Sequence, residues 1–436
     1  MALEKPINLK RGAPELSTID ADLVLGNKPG LTNVNELVEE NPFLLGYQGS
    51  DQSRPGINPK LKGKNFLGLD SFRETLAELH NVKPEQIVVA GGGMDAMSLV
   101  FDAINRQLGE GREFRLGKMA VEQPTYDRIL ENAKNRRFAT RGVRLDTKTG
   151  LDLTELEELL KRTQIDLFYG IDPGQNPSSY SYAPEERQEI EQKMAEYGGL
   201  VLWDRAYENL RYGESEQNGT PHYFQGPIPD NVIIARNYTK ELAAGSAKLG
   251  YLILPDDPGI LKLFDTVVSN ARLNATSYLV SALVNQIIDP KNEEQFHYYS
   301  QHLKKLRERF QPRLKKFLEE MQSQFPEARV NQNCDSGYFM QTFYPDIPAT
   351  PTAQRIFLKE HAEQGLVYED ARTAYTDFYR EGGAGIGETR DPFVLMSEEK
   401  IPEIVAAKRA AWEKTQEIIS QKKIPAPKTG NPKPKF

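Results

Sequence analysis

The sequence has very little cysteine, since Cys334 is the only one among 436 residues. A single cysteine cannot form an intrachain disulfide, and no group of cysteine and histidine residues has the spacing of a zinc site. We therefore expect a cytoplasmic protein from a reducing compartment, with no metal. Cys334 lies just before an expected strand, in NQNCDSGYFMQTFY, where a structural role is more typical than a nucleophilic one.

The sequence also lacks an excess of positive charge and long apolar runs. Its formal net charge is −7, which argues against nucleic acid or an anionic membrane surface as a partner. No uninterrupted apolar run approaches the roughly 18 residues of a membrane-spanning helix, and the start, MALEKPINLKRGAPEL, has no apolar signal segment. We expect a globular protein that acts on a small molecule.

What the sequence does contain is an alternation of short apolar strands and amphipathic helices. The expected strands IDLFYGID, GLVLWDRAY, NVIIARNY and LGYLILP each end in polar or glycine residues. The segment APEERQEIEQKMAEYGG has helical spacing and ends in glycine. This pattern predicts an α/β fold in which helices cover a mainly parallel sheet, with the chemistry at the strand ends.

The character of the chain changes near residue 290. A long charged helix is expected there, followed by the strand GYFMQTFYP and a closing helix in EEKIPEIVAAKRAAWEKTQEIISQK. We predict a large domain at 49–290 and a small C-terminal domain at 291–420, with 1–48 as an N-terminal arm and part of the small domain. The segment 421–436, rich in proline and lysine, is expected to be a disordered basic tail.

Three glycines, Gly91, Gly92 and Gly93, lie between an expected strand and a helix in VVAGGGMDAM. Backbone N–H groups at such a helix N-terminus can hold a phosphate. The spacing does not fit the GxGxxG pattern of a nicotinamide site. Alone, the motif is either a phosphate site or a tight structural turn.

Polar side chains follow three further strands. Lys240 lies directly after VIIARNYT, at the carboxyl end where open sheets bind ligands, and a partly desolvated lysine there can form a Schiff base with an aldehyde. Asp204 ends a strand that would bury its carboxylate, which then needs a cation. Asn176 and Tyr207 lie beside these strand ends, and each residue alone also fits a turn, a cap or packing.

Taken together and in this order, the residues resemble the class I/II aminotransferases of pyridoxal-phosphate fold type I. Asn176, Asp204, Tyr207 and Lys240 are separated by 28, 3 and 33 positions, which is similar to aspartate aminotransferases. The resemblance implies that Asn176 and Tyr207 bond the phenolic oxygen of pyridoxal 5'-phosphate. It also implies that Asp204 pairs with the ring nitrogen and that Lys240 forms the internal aldimine.

The resemblance has further consequences for the fold and the cofactor site. It implies a seven-stranded, mainly parallel sheet with helices on both faces, a smaller α+β domain and a homodimer. Tyr126, in VEQPTYDRILENA, would stack on the cofactor ring. Gly92, Gly93 and Met94 would bind its phosphate through backbone amides.

Some positions depart from the family pattern. Asn237 stands for the usual serine, and Lys248 stands where an arginine usually grips the phosphate, so its point charge cannot form a fork. Thr239 is expected beside them as a cofactor contact. Phe66 replaces a tyrosine that reaches the partner subunit's phosphate. The segment INLKRGAP, which holds the candidate substrate residue Gly12, looks closest to a divergent bacterial subgroup of aspartate aminotransferases.

The largest departure concerns the substrate carboxylate. The family places an arginine on a late strand, in a context like NxxRLS, whereas ETRDPFVLMSEEK aligns Val394 there with Arg390 four residues earlier. Either Arg390 binds the carboxylate or this contact is lost. Arg272, Arg372 and Arg380 are candidate substitutes.

The sequence therefore predicts a pyridoxal-phosphate-dependent aminotransferase that acts on an amino acid through Lys240. The alternative is a specialised pyridoxal-phosphate enzyme of secondary metabolism on the same fold, with elimination, oxidation or C–C bond formation as its chemistry. The departure at the late arginine favours this alternative. A binding or regulatory protein that has kept the fold is a third possibility.

Overall fold

The computed structural model describes residues 3, 6–10, 16–45, 67–109, 116–213, 221–245, 248–271 and 278–424. Three residues discussed above, Gly12, Phe66 and Arg272, lie outside the described residues. The same holds for the tail beyond residue 424.

The strands and helices alternate along most of the chain. The strands are β1 (Ile7–Asn8), β2 (Ile87–Ala90), β3 (Lys118–Gln123), β4 (Ala139–Asp146), β5 (Gly150–Leu151), β6 (Leu167–Ile171), β7 (Leu200–Asp204), β8 (Val232–Asn237), β9 (Gly250–Ile253), β10 (Arg329–Val330), β11 (Met340–Phe343), β12 (Leu366–Val367) and β13 (Glu388–Asp391). The helices are α1 (Ala21–Val24), α2 (Val34–Glu40), α3 (Asp70–His80), α4 (Gly93–Gly109), α5 (Asp127–Asn135), α6 (Leu153–Arg162), α7 (Pro184–Glu196), α8 (Tyr238–Glu241), α9 (Pro258–Ala271), α10 (Tyr278–Ile288), α11 (Glu293–Gln324), α12 (Pro351–Glu363), α13 (Asp377–Glu381) and α14 (Ile401–Gln421).

A large mixed sheet has the strand order β2-β9-β8-β7-β6-β3-β4-β5. The five strands from β8 to β4 are mutually parallel, whereas β9 runs antiparallel to both of its neighbours. The expected seven strands are joined by an eighth, the two-residue β5, which returns against β4. The α/β class and the mainly parallel sheet are as the sequence predicts.

Helices cover both faces of this sheet. Successive strand residues point to opposite sides, so an apolar strand presents a buried face to each helix layer. In β2, Val88 and Ala90 belong to one apolar cluster together with residues of α4, whereas Ile87 and Val89 belong to a second cluster together with residues of α3. All four β2 side chains are buried. The sheet therefore forms the middle layer of a three-layer core.

Two smaller sheets lie beside the large one. Strands β10, β11 and β13 form an antiparallel sheet, and β1 pairs in parallel with β12. Helix α11, 32 residues long, contributes Tyr299 and Leu303 to one apolar cluster, and Phe310 and Phe317 farther along to the other. The long charged helix expected from the sequence is thus a single element that packs against both cores.

Candidate active site

The register of the large sheet brings the predicted site residues together. In the parallel part, Ile171 lies opposite Asp204, and Asp204 lies opposite Ala235. In the antiparallel part, Gly250 lies between Ala90 and Asn237. The ends of four strands, together with the glycine turn after β2, therefore converge at one edge of the sheet.

A cavity of about 570 Å³ opens at this edge. All of the predicted cofactor residues line it, namely Gly92, Gly93, Met94, Tyr126, Asn176, Asp204, Tyr207, Asn237, Thr239, Lys240 and Lys248. The volume lies within the roughly 300–1,000 Å³ of small-molecule sites. Residues that are more than 150 positions apart in sequence thus share one site.

Asp204 contributes a buried carboxylate to the lining of the cavity. Its Oδ2 accepts a hydrogen bond from the hydroxyl of Tyr169 at 2.9 Å, and its Oδ1 accepts one from the amide of Ala206 at 3.1 Å. Burial raises the pKa of Asp204 to about 6, although these bonds and the nearby Lys240 act in the opposite direction. Burial disfavours the charged form of this carboxyl group, and a cation brought by a ligand would stabilise that charged form.

Lys240 lies on α8, the single helical turn that follows β8. Burial lowers the pKa of its amine to about 8, and the positive charge of Arg390 acts in the same direction. The Nζ atom lies 5.2 Å from the ring centroid of Tyr338, whose hydroxyl donates to the backbone carbonyl of Lys240 at 2.9 Å. Lys240 is therefore held from both ends, and its amine loses its proton more readily than an exposed lysine.

An ion pair flanks Lys240 in the sequence. Arg236 precedes the turn, Glu241 follows Lys240 directly, and their side chains meet at 2.8 Å with 1% of each exposed. The hydroxyl of Tyr299, from α11, also donates to the carboxylate of Glu241. These bonds tie both ends of the lysine-bearing turn to the core.

The glycine turn forms a backbone cradle in the lining of the cavity. Gly92 has a φ of +96°, and α4 begins at the next residue. A Cβ atom on Gly93 would lie 3.0 Å from the side-chain amide nitrogen of Asn237, and one on Gly250 would lie 2.8 Å from the carbonyl carbon of Gly92. Only glycine keeps this close approach without a shift of the neighbours.

The donor set around the cradle fits a phosphate. The backbone N–H groups at the start of α4 and the exposed Lys248 line the same part of the cavity. The side-chain Nδ2 of Asn237, which lies beside Gly93, is a further donor, while within the described residues its buried Oδ1 is an acceptor with no hydrogen-bond partner. A polar atom left in this way beside a phosphate cradle is consistent with a ligand-binding role.

Arg390 lines the cavity. Its guanidinium donates to the side-chain oxygen of Asn176 at 3.4 Å, lies 3.4 Å from the carboxylate of Glu369, and stacks 4.7 Å above the ring centroid of Phe339. Val394, by contrast, is fully buried within the short helical turn Phe393–Leu395. Of the two alternatives left by the sequence, the structure favours Arg390 as the arginine that faces the site.

The other candidate arginines do not take this place. The guanidinium of Arg372 is bound to the carboxylate of Asp370 at 2.5–3.1 Å, and Arg372 does not line the cavity. Arg380 pairs with Asp377 at 3.2 Å and also lies away from the cavity lining. The neighbouring carboxylates of Asp370 and Asp377 explain why these two arginines are held away from the cavity.

Several lining residues escape prediction from the sequence. Asp127 and Arg128 also line the cavity. They directly follow Tyr126 in the segment VEQPTYDRILENA, and this adjacency to a predicted site residue is a signal that could have identified them. Lys10 and Glu369 come from the ends of the paired strands β1 and β12, and nothing in their local sequence marks them. Charged groups of both signs thus surround the mouth of the cavity.

Two negative findings apply to the described part of the chain. It contains no group of three or more histidine, cysteine, aspartate or glutamate residues arranged to hold a metal ion. None of its helices combines the length and the apolar character needed to cross a membrane.

Comparison with known families gives a match to the model of aminotransferase class I and II over residues 61–364, which is more than half of the chain. The chain belongs to the class I and II aminotransferase family. The family resemblance inferred from the spacing of Asn176, Asp204, Tyr207 and Lys240 is thereby confirmed.

Two curated proteins that are similar to this chain illustrate the range of names among its relatives. An uncharacterized HTH-type transcriptional regulator of Escherichia coli is 22% identical over 61% of this chain and 52% of its own length. An uncharacterized aminotransferase of Saccharolobus solfataricus is 24% identical over 71% of this chain and 74% of its own length. The chain thus spans only about half of the first relative.

One solved structure has a similar fold over nearly the whole length of this chain. The α-aminoadipate aminotransferase of Thermus thermophilus, solved in complex with N-(5'-phosphopyridoxyl)-L-leucine, covers 96% of this chain and 94% of its own. The TM-score is 0.71 and the sequence identity is 18%. This likeness confirms the type I fold predicted from the sequence.

Proposed function

We propose that this protein is a pyridoxal-phosphate-dependent aminotransferase that acts on an amino acid. One observation carries the proposal: the guanidinium of Arg390 bonds Asn176 in the same cavity as Lys240 and Asp204. A carboxylate-binding cation beside a nucleophilic amine is the combination that a free amino acid requires. Because Arg390 lines the cavity, the lost carboxylate contact on which the specialised alternative rested is not favoured.

The lining residues divide into two sets that fit the two ends of the cofactor. The glycine turn, Met94, Asn237, Thr239 and Lys248 would hold the phosphate, because backbone N–H groups and a cation converge there. Asp204 would accept the ring N–H, and Asn176 and Tyr207 would bond the phenolic oxygen. Tyr126 would stack on the ring. When bound, pyridoxal phosphate supplies an electron sink for charge that develops at the substrate Cα.

Lys240 would bind the cofactor aldehyde through its amine and, once released, move the proton at the substrate Cα. A pKa near 8 keeps a useful fraction of the amine neutral close to neutral pH, as a nucleophile and base requires. The hydroxyl of Tyr338 donates to the backbone carbonyl of Lys240, so the lysine side chain extends from a fixed backbone position.

Arg390 would bind the α-carboxylate of the substrate with its fork of N–H donors. Its guanidinium lies 3.4 Å from the carboxylate of Glu369, 3.7 Å from that of Asp127 and 2.9 Å from the carbonyl of Lys10. These contacts hold the side chain without saturating it, since a guanidinium has five N–H donors.

We further propose the organisation expected from the sequence: a large domain at 49–290, and a small domain at 291–420 that includes part of the arm at 1–48. In support, the eight-stranded sheet lies between residues 87 and 253, and β1 of the arm pairs with β12. From the family resemblance we propose a homodimer that acts in amino acid metabolism. The single cysteine supports a location in the cytoplasm, and the net charge of −7 argues against nucleic acid or an anionic membrane surface as a partner.

A regulatory role is the second candidate, because one curated relative is named a transcriptional regulator. Such a protein would bind the cofactor through Lys240 without turning over amino acids. The two functions separate when the purified protein is loaded with pyridoxal phosphate and mixed with each of the twenty amino acids. Formation of pyridoxamine phosphate and a 2-oxo acid supports the enzyme, whereas cofactor binding without product from any amino acid would overturn it.

A further inference from the structure

A fully buried ion pair lies behind Arg390. Lys408 of α14 and Asp391 of β13 meet at 2.7 Å, and neither side chain is exposed. The ammonium group also lies 5.1 Å from the ring centroids of Tyr344 and Tyr368. Removing two charges from water carries a large desolvation cost, so stability alone is a weak reason for such a pair.

The carboxylate of Asp391 is hydrogen-bonded at both oxygens. Its Oδ1 accepts from the hydroxyl of Tyr368 at 2.6 Å as well as from Lys408. Its Oδ2 accepts from Thr342 at 2.6 Å and from Thr389 at 3.0 Å. A buried network whose members are satisfied in this way is rigid and fixes the backbone segments that carry it.

Two of these residues directly adjoin residues of the cavity. Asp391 follows Arg390 in β13, where successive side chains point to opposite faces, and Tyr368 directly precedes Glu369. On the buried side, Tyr368 bonds Asp391. On the cavity side, Arg390 lies 3.4 Å from Glu369. The same two backbone segments are thus joined twice, once on each side.

We propose that Lys408, Asp391 and Tyr368 are positioning residues that hold Arg390 at its place in the cavity. The inference rests on the proposed function, in which Arg390 binds the substrate carboxylate. The buried network sets where the end of β13 lies relative to the residues after β12. This relation sets the distance between the guanidinium and Asn176.

Removing either charge of the ion pair would leave the other buried and unpaired, and such a variant is expected to unfold. Tyr368→Phe is the informative variant, because it removes one hydrogen bond to Asp391 and keeps the ring. Tyr344→Phe is its matched control. The hydroxyl of Tyr344 is also buried, but it lies near His361 at 3.1 Å and Thr389 at 3.4 Å and is not bonded to Asp391.

The two variants are compared by steady-state kinetics and by calorimetric binding of succinate, a carboxylate that is not turned over. For Tyr368→Phe we expect KM for the amino acid and for the 2-oxo acid, and the succinate Kd, to rise roughly 3- to 10-fold. We expect kcat and the Kd of pyridoxal phosphate to stay within about twofold. For Tyr344→Phe we expect a lower Tm and unchanged constants.

A purely structural role would lower the Tm of both variants alike. If Tyr368→Phe matches Tyr344→Phe in KM and succinate Kd, the inference is wrong. Failure of the proposed function has a different signature, since the wild-type protein would then show no amino transfer at all. Succinate binding, which needs no turnover, still reports the position of Arg390 in that case.

Discussion

Replacement of Arg390 by lysine is the sharpest perturbation of the site. Lysine keeps the positive charge and most of the side-chain length, but it replaces a planar fork by a point charge. In the wild-type protein the guanidinium reaches both Asn176 at 3.4 Å and the carbonyl of Lys10 at 2.9 Å. A lysine cannot hold these two partners and a substrate carboxylate with the same geometry.

The size of the effect follows from the bonds that are lost. A hydrogen bond to a charged group contributes about 1.5–3 kcal/mol, so losing one of two bonds to the carboxylate should lower kcat/KM roughly 10- to 150-fold. The effect on stability should be smaller. The side chain of Arg390 is 19% exposed and its partner Glu369 is 35% exposed, so their ion pair contributes about 1 kcal/mol or less.

The assay measures initial rates of amino transfer over a range of amino acid concentrations that reaches saturation. Urea unfolding is measured in parallel. Arg372→Lys is the matched control, since Arg372 is bound to Asp370 outside the cavity and should keep kcat/KM within about twofold. Equal losses in the two variants, or an unchanged kcat/KM in Arg390→Lys, would refute the assignment of Arg390.

Three further predictions concern the apoprotein and the cradle. Burial raises the pKa of Asp204 from 3.8 to about 6, so at intermediate pH the folded state keeps a proton that the unfolded chain releases. From about pH 4 to about pH 7 the free energy of unfolding should therefore fall by about 3 kcal/mol relative to that of Asp204→Asn. Arg236→Met leaves the buried Glu241 without its ion-pair partner, and urea titration should show a loss of about 3–5 kcal/mol. In Gly250→Ala the new Cβ meets the backbone of Gly92, and fluorescence titration should show roughly tenfold weaker binding of pyridoxal phosphate.

Each of these predictions has a control or an outcome that contradicts it. Parallel pH profiles of wild-type protein and Asp204→Asn would show that Asp204 ionises normally. Lys161→Met breaks an exposed pair with Glu157 and should leave the urea midpoint nearly unchanged, so an equally small effect of Arg236→Met would contradict the second prediction. Gly109→Ala adds a Cβ with no atom within 4 Å and should leave cofactor affinity unchanged.

The clustering of the proposed cofactor residues could be predicted because their positions follow from local chain geometry. Asp204 ends β7, and Lys240 follows β8 within one turn, so parallel pairing alone brings them to one edge of the sheet. The glycine residues before α4 indicate a close approach of the backbone to a neighbouring group. These signals are periodic or adjacent in sequence, and the strands that carry them are continuous apolar runs.

The substrate side could not be settled in the same way. Whether Arg390 or Val394 faces the cavity depends on where β13 ends, and the chain leaves that strand after Asp391 and then turns at Phe393–Leu395 to bury Val394. Glu369 reaches the cavity through the short parallel pairing of β1 with β12. Two-residue strands carry no periodic pattern, so such long-range contacts leave no trace in the local sequence.

The central claim is tested most directly by following an isotopic label. The protein loaded with pyridoxal phosphate is incubated with a ¹⁵N-labelled amino acid and an unlabelled 2-oxo acid, and the products are analysed by mass spectrometry. The account predicts that ¹⁵N appears in the amino acid formed from the 2-oxo acid, and that Lys240→Ala abolishes this transfer. Cofactor bound to Lys240 with no ¹⁵N transfer between any pair of substrates would contradict the account.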